Sequence, residues 1–315
     1  MANKLIVSAA PHITSADSTS KIMGRVCIAL LPTLIASVLI FGFQALLLTA
    51  VTVAACVVFE YAYCKLVGRD VTISDLSAVV TGLLLAFNLP AGLPVWMSLV
   101  GAFIAIVIIK QLFGGLGYNF ANPAIVGRIA MALGFTGAMT SYTYPENGID
   151  ALASATPLAV EETAQNAGSY VTLLLGNHGG VLGETCAITL LIGGIYLIWT
   201  KVISPTIPVT YLATVAVFSL LCGYDPIYQL LSGGLILGAF FMATDYVTSP
   251  TTEKGKLVFG IGLGVITCLI RFFGTMNEGV SFAILLMNLV VPYIDVLTRQ
   301  DRLGIAKAKK GGAAK

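Results

Sequence analysis

The chain has 315 residues, of which 57% are hydrophobic and only 10% are charged, and its formal net charge is +2. Soluble globular domains carry about 25% charged residues, so this composition excludes an ordinary water-soluble domain and predicts a membrane protein. Basic residues collect after the last apolar run without interleaved aromatic residues, which indicates a solvated anchor and not a nucleic-acid-binding patch.

Residues 1–21 are too polar to contain the apolar stretch of a signal peptide, so we expect a cytoplasmic N-terminal segment that is not cleaved. The apolar runs that follow predict an all-α polytopic protein with about ten transmembrane helices. The predicted spans are residues 22–42, 44–66, 75–89, 94–113, 122–139, 183–200, 203–222, 227–243, 255–273 and 278–297. Residues 298–315 are predicted to form a basic cytoplasmic tail.

Lysine and arginine residues predict the orientation of these spans. With the N-terminus in the cytoplasm, the inner connections contain residues such as Arg69, Lys110 and Lys201, whereas the loop 140–182 contains no lysine or arginine. This asymmetry follows the positive-inside rule. We therefore expect both termini in the cytoplasm and the loop 140–182 on the outer side.

Ten spans divide into a first repeat over residues 22–139 and a second over residues 183–297, with the outer loop between them. An odd number of spans in each half makes the two repeats inverted, as in many transporters. Short echoes support this division, since FNLPAGLP at 87–94 and FMATDYVTSP at 241–250 both join an aromatic residue to a polar turn with proline.

Arg128 is predicted to lie about a turn and a half inside the fifth span, behind Asn122 and Pro123. An asparagine followed by proline is a normal helix start, so capping is the simplest explanation of these two residues. A guanidinium at membrane depth requires an anionic partner or water. A flavin phosphate and a carboxylate on another helix both meet that requirement, and the sequence leaves the two open.

Asp245 ends the eighth span and is followed by Thr248, so one interpretation is a turn whose serine or threonine caps the next helix. The alternative is a ligand site at the broken end of a half-helix, the arrangement used by inverted-repeat proteins. Asn288 is a further polar residue within the tenth span. Asp245, Thr248 and Asn288 are therefore candidate pocket or ion-path residues, together with Asn122 and Arg128.

Three glycine-rich stretches, GGLG at 114–117, GG at 193–194 and GIGLG at 260–264, lie within or between apolar runs and not between a strand and a helix. That context argues against a dinucleotide-binding motif and predicts close helix packing in lipid. The six cysteines are scattered without a C-x-x-C pair, so we expect small buried hydrophobic residues and no metal site.

The outer loop contains the stretch DALASATPLA at 150–159. Pro157 disfavours a helical conformation at Thr156 and presents its hydroxyl on an extended backbone, and the small neighbouring residues leave room for a modifying enzyme. Taken alone, the stretch also reads as an ordinary turn.

In combination, SATPLA, NFANPAIVGR at 119–128, FMATDYVTSPTTEKG at 241–255 and EGVSFAILLMNLVVPYID at 278–295 resemble one family over residues 20–298. The family is the D subunit of the Rnf ion-translocating electron-transport complex, together with the related B subunit of the sodium-translocating NADH:quinone reductase. The resemblance implies a five-plus-five inverted repeat of urea-channel-like architecture. It also implies FMN joined through its phosphate to Thr156, in a motif where Ala153 and Ser154 replace the usual serine and glycine, with Ser154 beside the attachment site.

The resemblance further implies a membrane redox subunit of a ferredoxin:NAD⁺ oxidoreductase complex coupled to Na⁺ or H⁺ translocation. A noncovalent riboflavin, the A, B, C, E and G subunits as partners, and a bacterial or archaeal inner-membrane location belong to the same expectation. No residue resembles a hydride-transfer or nucleotide site, so the chain is not expected to hold a complete active site alone. The rival interpretation is a passive solute channel or transporter of the inverted-repeat type, which does not need the outer threonine loop.

Overall fold

A computed structural model describes residues 17–142, 170–176, 178–184, 186–274 and 279–299. These residues form helices, with no strand among them and one isolated bridge between Pro90 and Val181. The helices are α1 (Thr19–Phe41), α2 (Phe43–Val67), α3 (Ser77–Phe87), α4 (Val95–Phe103), α5 (Pro123–Gly134), α6 (Thr136–Thr140), α7 (Tyr170–Leu175), α8 (Ala187–Trp199), α9 (Thr206–Cys222), α10 (Pro226–Leu231), α11 (Leu235–Leu237), α12 (Glu253–Phe273) and α13 (Val280–Thr298). A short 3₁₀ helix covers Ile73–Asp75, and π-helical segments, Ile104–Gln111 and Gly238–Met242, continue α4 and α11.

Helix length and hydropathy agree with a membrane protein. In the part of the chain that the structure describes, four helices (α1, α2, α12 and α13) have at least 18 residues and are apolar enough to cross a membrane alone. Large apolar side chains on them face outward, such as Leu39 and Leu297, which are 81% and 85% exposed. Such surface is rare on soluble monomers and is the normal lipid-facing surface of a membrane protein.

The shorter helices also fall within predicted spans. Apolar helices of 10–17 residues lie in the third, fourth, fifth, sixth and seventh spans, and the eighth span consists of α10, α11 and a π-helical segment. An all-α multi-pass architecture is thereby confirmed. The five-plus-five arrangement stays a prediction.

Backbone turns separate the long helices where glycine occurs. Gly42, with φ of 73°, stands between α1 and α2, and Gly223, with φ of 82°, ends α9. Both are in a region that side chains with a Cβ rarely adopt. At the start of α12 the Thr252 hydroxyl accepts a hydrogen bond from the Gly255 amide at 3.0 Å, which makes Thr252 the cap of that helix.

Glycines bring helices into close contact at two places. A Cβ added to Gly193 on α8 would lie 2.2 Å from the carbonyl oxygen of Ala29 on α1. On α12, a Cβ at Gly260 would lie 1.9 Å from Oγ1 of Thr210, and one at Gly264 would lie 2.5 Å from Cβ of Thr214. The predicted role in helix packing is confirmed for these glycines, and the contacts fix the pairs α1–α8 and α9–α12. It is wrong for GGLG at 114–117, which lies in a turn where Gly114, Gly115 and Gly117 have φ of 129°, 95° and 96°.

Candidate functional site

Four of the polar residues singled out in the sequence lie in one cluster where α5, α13 and the turn after α11 meet. Asn122 begins α5, and its Oδ1 accepts a hydrogen bond from the Ala124 amide at 3.0 Å, so the predicted capping role is confirmed. Its side-chain nitrogen donates to the carbonyl oxygen of Met242 at 3.3 Å. Met242 lies 120 residues further along the chain. Asn122 therefore joins the start of α5 to the end of the second π-helical segment.

Asn288 on α13 completes this junction. The side-chain amide is oriented so that both its oxygen and its nitrogen form hydrogen bonds. The nitrogen donates to the carbonyl oxygens of Thr248 at 3.1 Å and Ile284 at 3.2 Å. Its oxygen accepts from the Asn122 amide at 3.1 Å. Asn288 is 3% exposed, and a buried amide with all of these bonds made holds three separate segments in a fixed relation.

Asp245 and Thr248 occupy the turn that follows the second π-helical segment. The Thr248 hydroxyl donates to Oδ2 of Asp245 at 3.1 Å. Thr248 therefore orients the Asp245 side chain and does not cap the next helix. The expected turn with a threonine cap on α12 is confirmed, and the capping residue is Thr252. The carboxylate of Asp245 is thereby oriented beside the asparagine junction.

A cleft opens beside this cluster. Its cavity volume is about 90 Å³, and the space continues into an open mouth. Apolar side chains, among them Leu84, Phe240 and Phe241, form much of its wall. Its polar lining residues are Ser77, Thr81, Lys110, Asn119, Asn122, Thr244 and Asp245. Apolar walls with a few convergent polar groups are typical of ligand-binding pockets.

Both π-helical segments contribute to this lining. Lys110 comes from Ile104–Gln111, and Phe240 and Phe241 come from Gly238–Met242. A π-helical turn inserts an extra residue and re-aims the side chains that follow, and such turns occur frequently at functional sites. The cleft is therefore formed where both helices depart from regular α-geometry.

Lys110 was missed as a site residue by sequence reasoning, which used it only as a marker of the inner side. It is 2% exposed, and its Nζ donates to Oε2 of Glu60 at 2.7 Å and to the hydroxyl of Ser77 at 2.6 Å. The other oxygen of Glu60 accepts from Thr72 at 2.8 Å. A lysine next to a long apolar run carries no signal of such a partner, because Glu60 lies 50 residues earlier in the chain.

Asn119 was also missed, although the sequence carried a signal for it. It precedes Asn122 by three residues in the same NFANP stretch and is 7% exposed. Its side-chain nitrogen donates to the carbonyl oxygen of Ala121 at 3.1 Å, which fixes the approach to α5. Asn119 and Asn122 are thus two buried asparagines directly before α5 that both line the cleft.

Arg128 lies apart from this cluster. Its Nη1 donates to the hydroxyl of Ser281 on α13 at 2.5 Å, and the buried carboxylate of Glu184 attracts it electrostatically. Of the two partners left open by the sequence, the described contacts favour groups of the protein itself over a ligand. Nearby, burial and then Glu184 raise the pKa of Tyr142 to about 12, so its hydroxyl stays protonated at neutral pH.

Thr156 and Ser154 lie outside the described residues. Comparison with known proteins extends over the region that contains them: residues 6–304 match the model of the NQR2, RnfD, RnfE family. The chain is 47% identical over 314 residues to the D subunit of the Na(+)-translocating ferredoxin:NAD(+) oxidoreductase complex of Acetobacterium woodii, covering 98% of each chain. It is 42% identical over 320 residues to the D subunit of the proton-translocating ferredoxin:NAD(+) oxidoreductase complex of Clostridium ljungdahlii, covering 96% of this chain and 97% of the relative. A third relative, the D subunit of the ion-translocating oxidoreductase complex of Alcanivorax borkumensis, is 36% identical over 338 residues, which cover 98% of this chain and 99% of the relative.

Proposed function

The chain belongs to the NQR2, RnfD, RnfE family, and from that premise we propose that it is the D subunit of an ion-translocating ferredoxin:NAD⁺ oxidoreductase complex. The observation that carries the proposal is the end-to-end similarity to subunits of that name. The chain relays electrons through flavin within the complex, which moves Na⁺ or H⁺ across the inner membrane of a bacterium or archaeon. The A, B, C, E and G subunits are its proposed partners.

Thr156 is the proposed attachment point of a covalent FMN. Ala155-Thr156-Pro157-Leu158 matches the motif of the family in residue type, and the loop around it fits an outer location because it contains no lysine or arginine. A phosphodiester to a threonine hydroxyl requires no further catalytic residue of this chain once it is formed. The link keeps the cofactor permanently in place, as an electron relay requires.

The cleft between the π-helical segments is the proposed site of a second, noncovalent flavin, riboflavin. The lining fits an isoalloxazine in kind: Phe240 and Phe241 supply apolar surface, while Asn119, Asn122 and Asp245 supply polar atoms for a heterocycle edge. Asn122 and Asp245 are themselves held by hydrogen bonds to Met242 and Thr248. Because these side chains are already ordered, ligand binding does not incur the entropic cost of ordering them.

The residues of the chain contribute position and electrostatics, while bound flavin supplies one- and two-electron chemistry. The Asn122–Asn288–Thr248 junction orients the polar side of the cleft, and Phe240 and Phe241 form part of its apolar wall. Lys110 and Asp245 place an ammonium group and a carboxyl group on the lining. These groups bind and orient, and no described residue of the cleft is assigned a bond-making role.

The inverted repeat is part of the same proposal. Its support is the pairing of α1 with α8, the first helices of the two proposed halves, together with the short helices α3 in the third span and α10 and α11 in the eighth. The polar junction around Asn122 contains residues from both proposed halves, since Met242, Thr248 and Asn288 belong to the second. Binding sites between repeats are typical of such proteins.

A deletion strain tests the function. Removal of this chain from its host is expected to abolish NAD⁺ reduction by reduced ferredoxin in membrane vesicles and the accompanying uptake of ²²Na⁺ or H⁺, and a plasmid copy is expected to restore both. Full ferredoxin-dependent NAD⁺ reduction and ion uptake in the deletion strain would contradict the proposal. Loss of uptake of an uncharged solute alone would instead support a passive channel.

A further inference from the structure

Lys110 places a buried cation on the wall of the cleft, and its surroundings show how that cation is held. Glu60 is completely buried, and its carboxylate lies 2.7 Å from the Lys110 Nζ. Ser77 accepts a second hydrogen bond from Nζ at 2.6 Å, and its own hydroxyl donates to Asp75 at 2.5 Å. Lys110 is therefore fixed by partners on α2 and at the start of α3.

An ammonium group has three N–H donors. Among the described residues, Glu60 and Ser77 take two of those of Lys110, and the residue lines the cleft together with Thr81 and Asn122. The third donor of a buried ammonium requires an acceptor, because a buried N–H without one is costly. The cleft is the neighbouring space from which a ligand can supply that acceptor.

We propose that Lys110 donates its third hydrogen bond to an electron-rich acceptor atom of the heterocycle bound in the cleft, and thereby sets the reduction potential of that group. The inference rests on the proposed noncovalent flavin. Reduction increases the negative charge of the ring system at its polar edge, and a cation in a low-dielectric site stabilises that charge strongly. Glu60 opposes the effect, since its charge partly cancels that of Lys110.

Replacing Lys110 and replacing Glu60 are therefore expected to shift the reduction potential in opposite directions. Lys110→Gln removes the cation and leaves the Glu60 charge, so the reduced flavin is expected to bind at least tenfold more weakly relative to the oxidised form. Glu60→Gln leaves the cation uncompensated, so the reduced flavin is expected to bind more tightly relative to the oxidised form. A tenfold change corresponds to about 30 mV for a two-electron couple.

The experiment is a spectroelectrochemical titration of the purified whole complex, combined with the amount of flavin released by denaturation. Lys65→Gln is the matched control, because Lys65 is an exposed lysine on α2 that does not line the cleft. The expected result is a lower midpoint potential for Lys110→Gln, a higher one for Glu60→Gln, and no change for Lys65→Gln. Removing one partner of a buried pair can prevent assembly, so the double variant Glu60→Gln/Lys110→Gln, which buries no net charge, is measured as well.

Shifts of opposite sign in the single variants support the role of Lys110. Where a single variant does not assemble, a potential of the double variant that differs from wild type, with flavin content retained, supports it instead. An unchanged potential in every variant that retains its flavin overturns it, and so do shifts of the same sign in both single variants. Wild-type complex that releases no noncovalent flavin overturns the proposed cleft occupant itself, which distinguishes the two failures.

Discussion

At the scale of the residue, the described site depends on a few buried polar side chains that each join distant segments. Asn288 contacts Asn122, Ile284 and Thr248, and Asn122 in turn reaches Met242. A buried amide that loses such partners leaves unpaired donors and acceptors, each costing about 1–3 kcal/mol. The geometry of the cleft therefore depends on amide side chains that do not themselves have to touch a ligand.

Asn288→Leu is expected to lower the noncovalent flavin content of the complex severalfold, because the turn around Thr248 loses its anchor on α13. Covalent flavin on the same subunit is expected to be unchanged, since Thr156 lies in a different part of the chain. The measurement is flavin released by denaturation against flavin retained on the polypeptide. Leu289→Ala, an exposed neighbour on the same helix, is the control. Unaltered release from Asn288→Leu would show that the junction does not shape the site.

Sequence reasoning identified four residues of this cluster because polar groups inside apolar runs are conspicuous. It could not say that Asn122, Asp245, Thr248 and Asn288 meet, since their separation along the chain reaches 166 residues (288 − 122). Arg128 was conspicuous for the same reason but lies apart, beside Ser281. The pattern marks buried polar residues and does not distinguish those that line a cleft from those that pair within the protein.

At the scale of the element, glycine contacts decide how closely helices pack. The small-residue pattern predicted this, because GG at 193–194 and GIGLG at 260–264 lie in continuous apolar runs. The π-helical segments were not predicted, since apolar periodicity over eight residues does not distinguish π from α geometry. Lys110, which the first π-helical segment carries to the cleft, was missed with it.

Gly193→Ala is expected to destabilise the protein by about 1–3 kcal/mol, because the added Cβ meets the carbonyl oxygen of Ala29 on the partner helix. Gly134→Ala is the matched control: it is also a helical glycine, but a Cβ there meets no atom within 4 Å. The measurement is the midpoint of thermal unfolding of the detergent-purified complex. Equal midpoints for the two variants would contradict the close α1–α8 contact.

At the scale of the whole molecule, composition alone was sufficient to place the chain in a membrane, and helix lengths agree with that. The direction of insertion rests on the lysine and arginine count. With a cytoplasmic N-terminus, the seventh predicted span ends on the outer side, at Cys222. Of the described cysteines, Cys222 is exposed, Cys27 is partly buried and the other four are buried.

A membrane-impermeant maleimide is therefore expected to label Cys222 in right-side-out membrane vesicles. Inverted vesicles are expected to stay unlabelled until they are permeabilised, because the thiol would face their interior. The variant Cys222→Ser identifies the labelled site. Labelling of Cys222 in inverted vesicles only would reverse the orientation and place the loop 140–182 on the cytoplasmic side.

The central claim is that this protein carries flavin covalently on Thr156, and in-gel flavin fluorescence tests it most directly. The protein is purified from its native host, which supplies the attaching enzyme, then denatured and separated by electrophoresis. We predict a fluorescent band for the wild type and for Asn288→Leu, and a dark band for Thr156→Ala with the polypeptide still present by staining. A dark wild-type band, or a Thr156→Ala band as bright as the wild type, would contradict the claim.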